Sequence, residues 1–284
     1  LDQPDEVAIN SMRQVAARAG VQPATMVRLA KRLGCSGYDD LREAFRDRLR
    51  RQRSRYRSRA RELQVRTGAR GGDAGLARLA ADMIYADCDN LTASLGSVGA
   101  EGLAAAATTL ANARRLYLVG LRSLYPAAFY VHYACRMFRD DTVLIDGRGG
   151  TFTDDLRGVG REDAMLVFSF MPYSREAVQA ASYAAERGAR IVAVTDTTVS
   201  PLAELAEWVF PVTVESPALF QSVVPALAVA QVLVAQILAQ GGKDALAAVA
   251  ESEEQLNRFE AYWPDNLAPP RPRASRRDRR RNVG

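Results

Sequence analysis

A chain of 284 residues is long enough for about two domains, and a hydrophobic content of 48% can supply a sizeable buried core. One histidine and three widely spaced cysteines exclude a cysteine-histidine zinc module and a disulfide framework, and we expect the thiols to be reduced core residues. The net charge of +5 is uneven, since residues 1–70 carry +9, residues 71–270 carry −10 and residues 271–284 carry +6. A basic N-terminal part beside an acidic middle indicates that any nucleic-acid partner binds the N-terminal part.

The first predicted helix begins at Ser11. Ser11 and Gln14 have the spacing of a capping box. Apolar residues then recur at helical spacing, at Met12, Val15, Ala16 and Ala19. Gly20 is expected to end this helix in the left-handed conformation, with Val21 packed inside the turn.

A second helix is predicted from Pro23 to Leu33, because proline at a first-turn position loses no helical hydrogen bond. Its predicted buried face consists of Met26, Leu29, Ala30 and Leu33. The other side carries polar and basic residues, namely Thr25, Arg28, Lys31 and Arg32. A recognition helix in the major groove presents such side chains to base edges and phosphates, so the pattern favours a DNA-binding helix-turn-helix over a solvated helical hairpin.

Residues 21–45, VQPATMVRLAKRLGCSGYDDLREAF, resemble the helix-turn-helix of the RpiR family of bacterial transcriptional regulators. The resemblance implies binding to double-stranded operator DNA through Gln22, Thr25, Arg28, Lys31 and Arg32. Thr25 and Arg28 would contact base edges, whereas Lys31 and Arg32 would mainly contact the DNA backbone and position the protein on it. Gln22 stands where the family usually has serine, a better helix N-cap by roughly 0.5–1 kcal/mol. Because the family has helical sequence ahead of this point, we expect the N-terminal domain to be incomplete here.

Nine arginines follow between residues 46 and 61. They are spread too evenly around a helical wheel to form a buried stripe, so they either contact DNA phosphates or belong to a solvated helix or linker. Residues 67–75, TGARGGDAG, have the glycine content of a flexible hinge. This hinge is predicted to separate a DNA-binding domain at residues 1–66 from a second domain at residues 76–262.

Beyond the hinge, helical segments alternate with short apolar segments. The pattern predicts an α/β domain with a five-stranded parallel sheet flanked by helices. Two helices are expected first, at residues 76–95 and 101–111. The predicted strands are residues 115–120, 142–146, 164–169, 190–195 and 207–212.

Two loops of this domain are suited to hold an anion. In parallel sheets, ligands bind beyond the carboxyl ends of strands, where helix N-termini offer free backbone N–H groups. The loops are residues 120–123, after the first strand, and residues 169–176, after the third. The candidate phosphate ligands are the hydroxyls of Ser123, Ser169 and Ser174 and the guanidinium of Arg122 or Arg175. Serine at such a turn is also a common helix N-cap, so spacing alone leaves both interpretations open.

Residues 167–212 resemble the sugar isomerase (SIS) domain that RpiR regulators carry, and the two resemblances follow each other in the family's order. This implies that Ser123, in the first loop, and Ser169 and Ser174, in the second, bind the phosphate of a sugar phosphate. Arg122 stands where glycine is common, and Met171 stands where many members have a further serine. The expected effector is therefore a phosphorylated sugar or a related acidic metabolite.

The alternative function is that of a sugar phosphate isomerase with an accessory basic domain. Isomerisation moves a proton between adjacent carbons and needs a well-placed base. The histidine, His132, lies in a helical segment where a buried or interfacial role is favoured. Ordinary dipole stabilisation explains Glu176 near a helix N-terminus. The fused DNA-binding motif favours a regulator over an enzyme, with no metal or cofactor.

One long apolar segment, residues 223–239, is barely long enough to span a membrane. It contains Pro225, Gln231 and Gln236, which favour a buried or dimer-forming helix. The resemblance implies a cytoplasmic homodimer or homotetramer without a membrane partner, and a symmetric operator would itself favour a dimer. Residues 263–284 have no apolar periodicity, so a disordered basic tail is expected there.

Overall fold

The computed structural model describes residues 11–32, 35–68 and 72–263, with only the backbone for residues 44–55. The N-terminal helices are α1 (Met12–Arg18), α2 (Pro23–Arg32) and α3 (Tyr38–Gly68). The following elements are α4 (Gly72–Val98), α5 (Ala100–Ala111), β1 (Leu116–Gly120), α6 (Tyr125–Cys135), β2 (Thr142–Ile145), α7 (Phe152–Asp155), β3 (Ala164–Phe168), α8 (Arg175–Glu186), β4 (Arg190–Thr195), β5 (Trp208–Pro211), α9 (Val224–Gln240) and α10 (Gly242–Arg258). The predicted basic tail, residues 263–284, lies outside the described residues except for Trp263.

The predicted capping box is present at the start of α1. The Ser11 N–H donates to Gln14 Oε1 at 2.9 Å, and the Gln14 N–H donates to Ser11 Oγ at 3.4 Å. Gly20, which follows the helix, has a φ of +65°, as expected for a residue in the left-handed region. Local sequence therefore determines both ends of this short helix.

Among the described residues, the buried core of the helix-turn-helix consists of Ala16, Met26, Ala30, Tyr38 and Leu41. Leu29 and Val21 are each 37% exposed, so the predictions that they are buried were wrong. Met26 and Ala30 lie one turn apart, and the short helix α1 and the start of α3 cover only a narrow stripe of α2. Leu33 lies outside the described residues.

The predicted hinge is largely helical, because α3 continues to Gly68 and α4 begins at Gly72. A Cβ atom on Gly75 would lie 2.3 Å from the Thr67 carbonyl oxygen. The described residues of the predicted hinge thus form the ends of two helices. Gly75 allows two helices to approach each other closely, and residues 69–71 lie outside the described part.

The sheet confirms the predicted fold class. Five strands, all parallel, are arranged in the order β2-β1-β3-β4-β5. β4 has the predicted bounds. The strands β1, β2 and β3 each differ from their predictions by one residue at one end, and β5 is one residue shorter at both ends. The chain order reverses between β1 and β3, which are adjacent, so the carboxyl ends of these two strands open a crevice.

Both faces of the sheet are buried, so successive side chains of the central strands, which point to opposite faces, are all buried. On one face, Leu118, Leu166 and Val192 pack with α5, α6 and α9. On the other, Val119, Val167 and Ala193 pack with α8, whose buried face consists of alanines. The result is a three-layer α/β/α domain.

The apolar segment 223–239 forms α9, which buries one side against this core, including Val229, Leu233 and Ile237. Among the described residues, no single helix is long and apolar enough to cross a membrane, although α9 and α10, bent by 112°, meet the criteria as a pair.

The three cysteines are free thiols that differ in burial. Cys135 is buried on α6, Cys35 is half-buried and Cys88 is exposed. The core prediction therefore holds for Cys135 and was wrong for Cys88, because α4 buries only part of its surface.

Candidate DNA-binding and effector sites

The loop after β1 begins with a close approach between strand and helix. A Cβ on Gly120 would lie 2.6 Å from the Leu124 carbonyl oxygen and 2.9 Å from the Ala128 Cβ, so only glycine fits. Arg122 follows with a φ of +57°, a left-handed conformation that glycine adopts without strain. The backbone conformation thus explains why glycine could occupy position 122 without strain. Here an exposed arginine occupies it instead.

The loop after β3 leads into α8 and includes two of the predicted serines. Ser169 is 3% exposed, and its Oγ accepts a hydrogen bond from the Ser174 N–H at 3.2 Å. Ser174 occupies the N-cap position of α8, but its side chain makes no capping hydrogen bond. The interpretation of Ser174 as a simple helix cap is therefore not supported by its contacts.

The same loop is attached to the end of β4 through Asp196. The Met171 N–H donates to one carboxylate oxygen at 3.2 Å, and the Tyr173 hydroxyl donates to the other at 2.8 Å. These bonds fix the peptide path between Ser169 and Ser174. They also engage the backbone N–H of Met171, the residue that stands where the resemblance implies a further serine.

A cavity of about 530 Å³ lies between the two loops, at the crevice where the strand order reverses. It brings together Ser123, Ser169 and Ser174 with Arg122, one of the two arginines that were predicted as alternatives. The other lining residues are Tyr56, Arg59, Leu121, Leu124, Phe170, Pro172, Phe220 and Gln221. Arg175 and Glu176 are exposed at the start of α8 and are not among these residues.

Sequence reasoning missed the contribution of α3 to this cavity. Arg59 Nη1 lies 3.4 Å from the Leu219 carbonyl oxygen and donates a hydrogen bond to it. The rings of Tyr56 and Phe220 meet edge to face with their centroids 5.4 Å apart. These contacts join residues about 160 positions apart, and no local pattern in the sequence reports such a pairing.

His132 lies elsewhere, on α6 beside a second cavity of about 1180 Å³ formed with α10. Its Nδ1 is 3.0 Å from Thr142 Oγ1, a hydrogen bond to the edge strand β2. Burial, followed by the nearby Arg136, lowers the pKa of His132, so its neutral form is favoured. This half-buried histidine thus has a structural partner and does not line the smaller cavity.

The predicted DNA-binding residues lie on α2 and at its start. Gln22, Arg28, Lys31 and Arg32 are exposed, and Thr25 is half-buried. The Gln22 carbonyl accepts a hydrogen bond from the Thr25 N–H, while Arg28 Nη2 donates to Thr25 Oγ1 at 3.4 Å. Arg28 and Thr25 are thus neighbours on one solvent-accessible surface of α2.

Comparisons with known proteins agree with this two-part organisation. The model of the helix-turn-helix domain of the rpiR family matches residues 1–52, and the SIS domain model matches residues 109–236. The sugar isomerase domain of an RpiR transcription factor from Sphaerobacter thermophilus is 28% identical, with a TM-score of 0.59, over 62% of this chain and 99% of that chain.

Two further solved structures share the fold at lower identity. The Vibrio vulnificus NanR protein, complexed with ManNAc-6P, is 20% identical with a TM-score of 0.56, over 92% of this chain and 91% of that chain. A provisionally assigned sugar-phosphate isomerase from Listeria monocytogenes is 14% identical with a TM-score of 0.53, over 68% of this chain and 100% of that chain. No curated protein matches the sequence.

The fold and the two matched regions define the class of protein: a helix-turn-helix regulator with an α/β ligand-binding domain. The order of the two domains and the likeness to the Sphaerobacter protein then specify the family. The chain belongs to the RpiR family of transcriptional regulators.

Proposed function

We propose that this protein binds operator DNA through α2 and senses a phosphorylated sugar, or a related acidic metabolite, in the 530 Å³ cavity. The observation that carries the proposal is the convergence of Arg122, Ser123, Ser169 and Ser174 on one cavity at the ends of β1 and β3. Hydroxyls and a guanidinium next to a helix N-terminus are suited to a phosphate group.

Each of the four residues has a distinct role in this proposal. The buried Ser169 hydroxyl accepts from the Ser174 N–H and keeps its own proton for a phosphate oxygen. The Ser174 hydroxyl, free of capping, and that of Ser123 donate from the two loops. Arg122 supplies positive charge and up to two parallel hydrogen bonds.

The described lining of the cavity supports a sensor over an isomerase. It includes two arginines and three serines but no histidine, aspartate or glutamate, the side chains that usually act as the base in aldose-ketose conversion. His132 has a partner on β2, and Glu176 is not among the lining residues. The Vibrio vulnificus NanR protein, which shares this fold, is itself complexed with ManNAc-6P.

On the DNA side, we propose that Thr25 and Arg28 contact base edges and that Gln22, Lys31 and Arg32 contact the backbone. The active species would be a cytoplasmic homodimer or homotetramer, with a DNA-binding unit at residues 1–66 and an effector-binding unit at residues 76–262. Effector binding changes operator affinity if the effector binds two arrangements of these units unequally.

The test is fluorescence anisotropy of the full chain on DNA from around its own gene, with and without a panel of sugar phosphates. Specific binding that one phosphorylated compound shifts, without turnover of that compound, is the expected result. Aldose-ketose conversion of a panel member would favour the isomerase, and the absence of specific DNA binding under every condition would overturn the proposal.

A further inference from the structure

Helix α3 forms a wall of the effector cavity, although it begins in the helix-turn-helix core. Tyr38 and Leu41, at its N-terminal end, are buried against α1 and α2. Arg59 lies 21 residues further along the same helix, about 32 Å away at 1.5 Å per residue. One uninterrupted helix therefore joins the DNA-binding core to the cavity.

The segment opposite α3 is held in place from its other side. Ser94 Oγ accepts from the Thr213 N–H at 2.9 Å, and the buried Asn90 side chain makes two hydrogen bonds with the Glu215 backbone, at 2.6 and 3.0 Å. The Ser222 hydroxyl donates to Asp87 at 2.5 Å. These α4 side chains fix both ends of the segment that includes Leu219 and Phe220. The segment is thus a stable surface against which α3 packs.

The charged residues that line the cavity indicate that Arg59 is a second candidate for anion binding, beside Arg122. Among the described residues that line it, two are arginines and none is acidic. Arg59 uses one N–H on the Leu219 carbonyl, at the long distance of 3.4 Å, and a guanidinium has five such donors in total. Arg59 lines the cavity together with three serines and Arg122.

We propose that Arg59 binds the effector anion, so that the helix leading to the DNA-binding core is itself part of the effector site. The edge-to-face pair of Tyr56 and Phe220 holds α3 against the cavity, and the effector adds a charged contact only while α3 is docked. A bound effector then favours the docked position of α3, which links occupancy to the placement of the helix-turn-helix. This inference rests on the proposed function.

Arg59→Ala and Arg57→Ala are a matched pair of variants in the full chain. Arg57 lies on the same helix, is exposed and does not line the cavity. The probes are glucose 6-phosphate and other sugar phosphates, and the references are the unphosphorylated sugars. Arg59→Ala should weaken binding of the preferred phosphorylated probe by about tenfold or more. Arg57→Ala should change it by less than about twofold. Arg59→Gln can still donate to the Leu219 carbonyl but lacks the charge, so it should resemble alanine in binding and the wild type in stability.

Hydrogen exchange separates this inference from the proposed function. The probe should slow exchange of residues 56–66 in the wild type but not in Arg59→Ala. If the probe protects the loops after β1 and β3 while α3 is unaffected, and Arg59→Gln binds like the wild type, Arg59 has only a structural role and the inference fails alone. If no phosphorylated probe binds the wild type or protects any loop, both proposals fail.

Discussion

Replacing Arg122 by glycine and by alanine separates the cost of its backbone conformation from the contribution of its side chain. Its φ of +57° lies in the left-handed region, which costs a residue with a Cβ about 1–2 kcal/mol. Glycine avoids this cost but loses about 0.4–1 kcal/mol through the greater freedom of the unfolded chain. Arg122→Gly should therefore be more stable than Arg122→Ala, by roughly 1 kcal/mol at the middle of these ranges.

Urea unfolding of the full chain, followed by circular dichroism, measures this difference in the free energy of unfolding. A matched control is Arg136, which ends α6 with an ordinary φ of −62°. There the order should reverse, with the glycine variant about 0.4–1 kcal/mol less stable than the alanine variant. If glycine is the less stable residue at position 122 as well, the backbone there is unstrained and the reasoning is refuted.

The two Arg122 variants should also agree in a second assay. Both remove the guanidinium, so both should bind a phosphorylated effector about tenfold more weakly than the wild type. The glycine variant would then combine equal or higher stability with lower effector affinity. Unchanged affinity in both variants would remove Arg122 from the effector site.

Three further predictions concern DNA, effector and thiol chemistry. Arg28→Ala should reduce discrimination between operator and random DNA in anisotropy titrations, and equal losses on both DNAs would assign Arg28 to phosphate contact. Ser174→Ala should weaken the effector response by about two- to tenfold while operator affinity without effector is retained; a loss of about 1 kcal/mol of stability with a normal response would instead identify a helix cap. Burial raises the pKa of the Cys135 thiol to about 12, so iodoacetamide should label Cys88 in the folded protein and Cys135 only after unfolding, as peptide mass spectrometry can show.

Local patterns were sufficient for the elements of the sheet. The run RIVAVT gave β4 with its observed bounds, because a buried parallel strand is a short apolar run between turns. Spacing placed the loop serines at the carboxyl ends of strands, whereas their assignment to one phosphate site came from the resemblance to the SIS domain. The strand order that makes β1 and β3 neighbours then brings Ser123 and Ser169 to one cavity.

Contacts between distant segments were beyond these patterns. Gly75 was assigned to a hinge because of the glycine content of residues 67–75. That composition does not reveal the Thr67 carbonyl that lies beside Gly75. Arg59 was one of nine similar arginines in the sequence, and its contact with the Leu219 carbonyl depends on the packing of α3 against a distant segment. Leu29 is exposed although its helical spacing is that of a buried residue. Whether a residue on the apolar face of a helix is buried depends on which other segments pack against that face, and periodicity does not report this.

The continuity of α3 restricts how the length of this protein can change. Each residue added between Leu41 and Tyr56 would turn the DNA-binding unit by about 100° and move it by about 1.5 Å relative to the cavity. Seven added residues would restore the facing to within about 20° while extending the helix by about 10 Å. Insertions in this helix therefore preserve the facing of the DNA-binding unit relative to the cavity only when they add near-integral turns, and even then they move the unit further from the cavity.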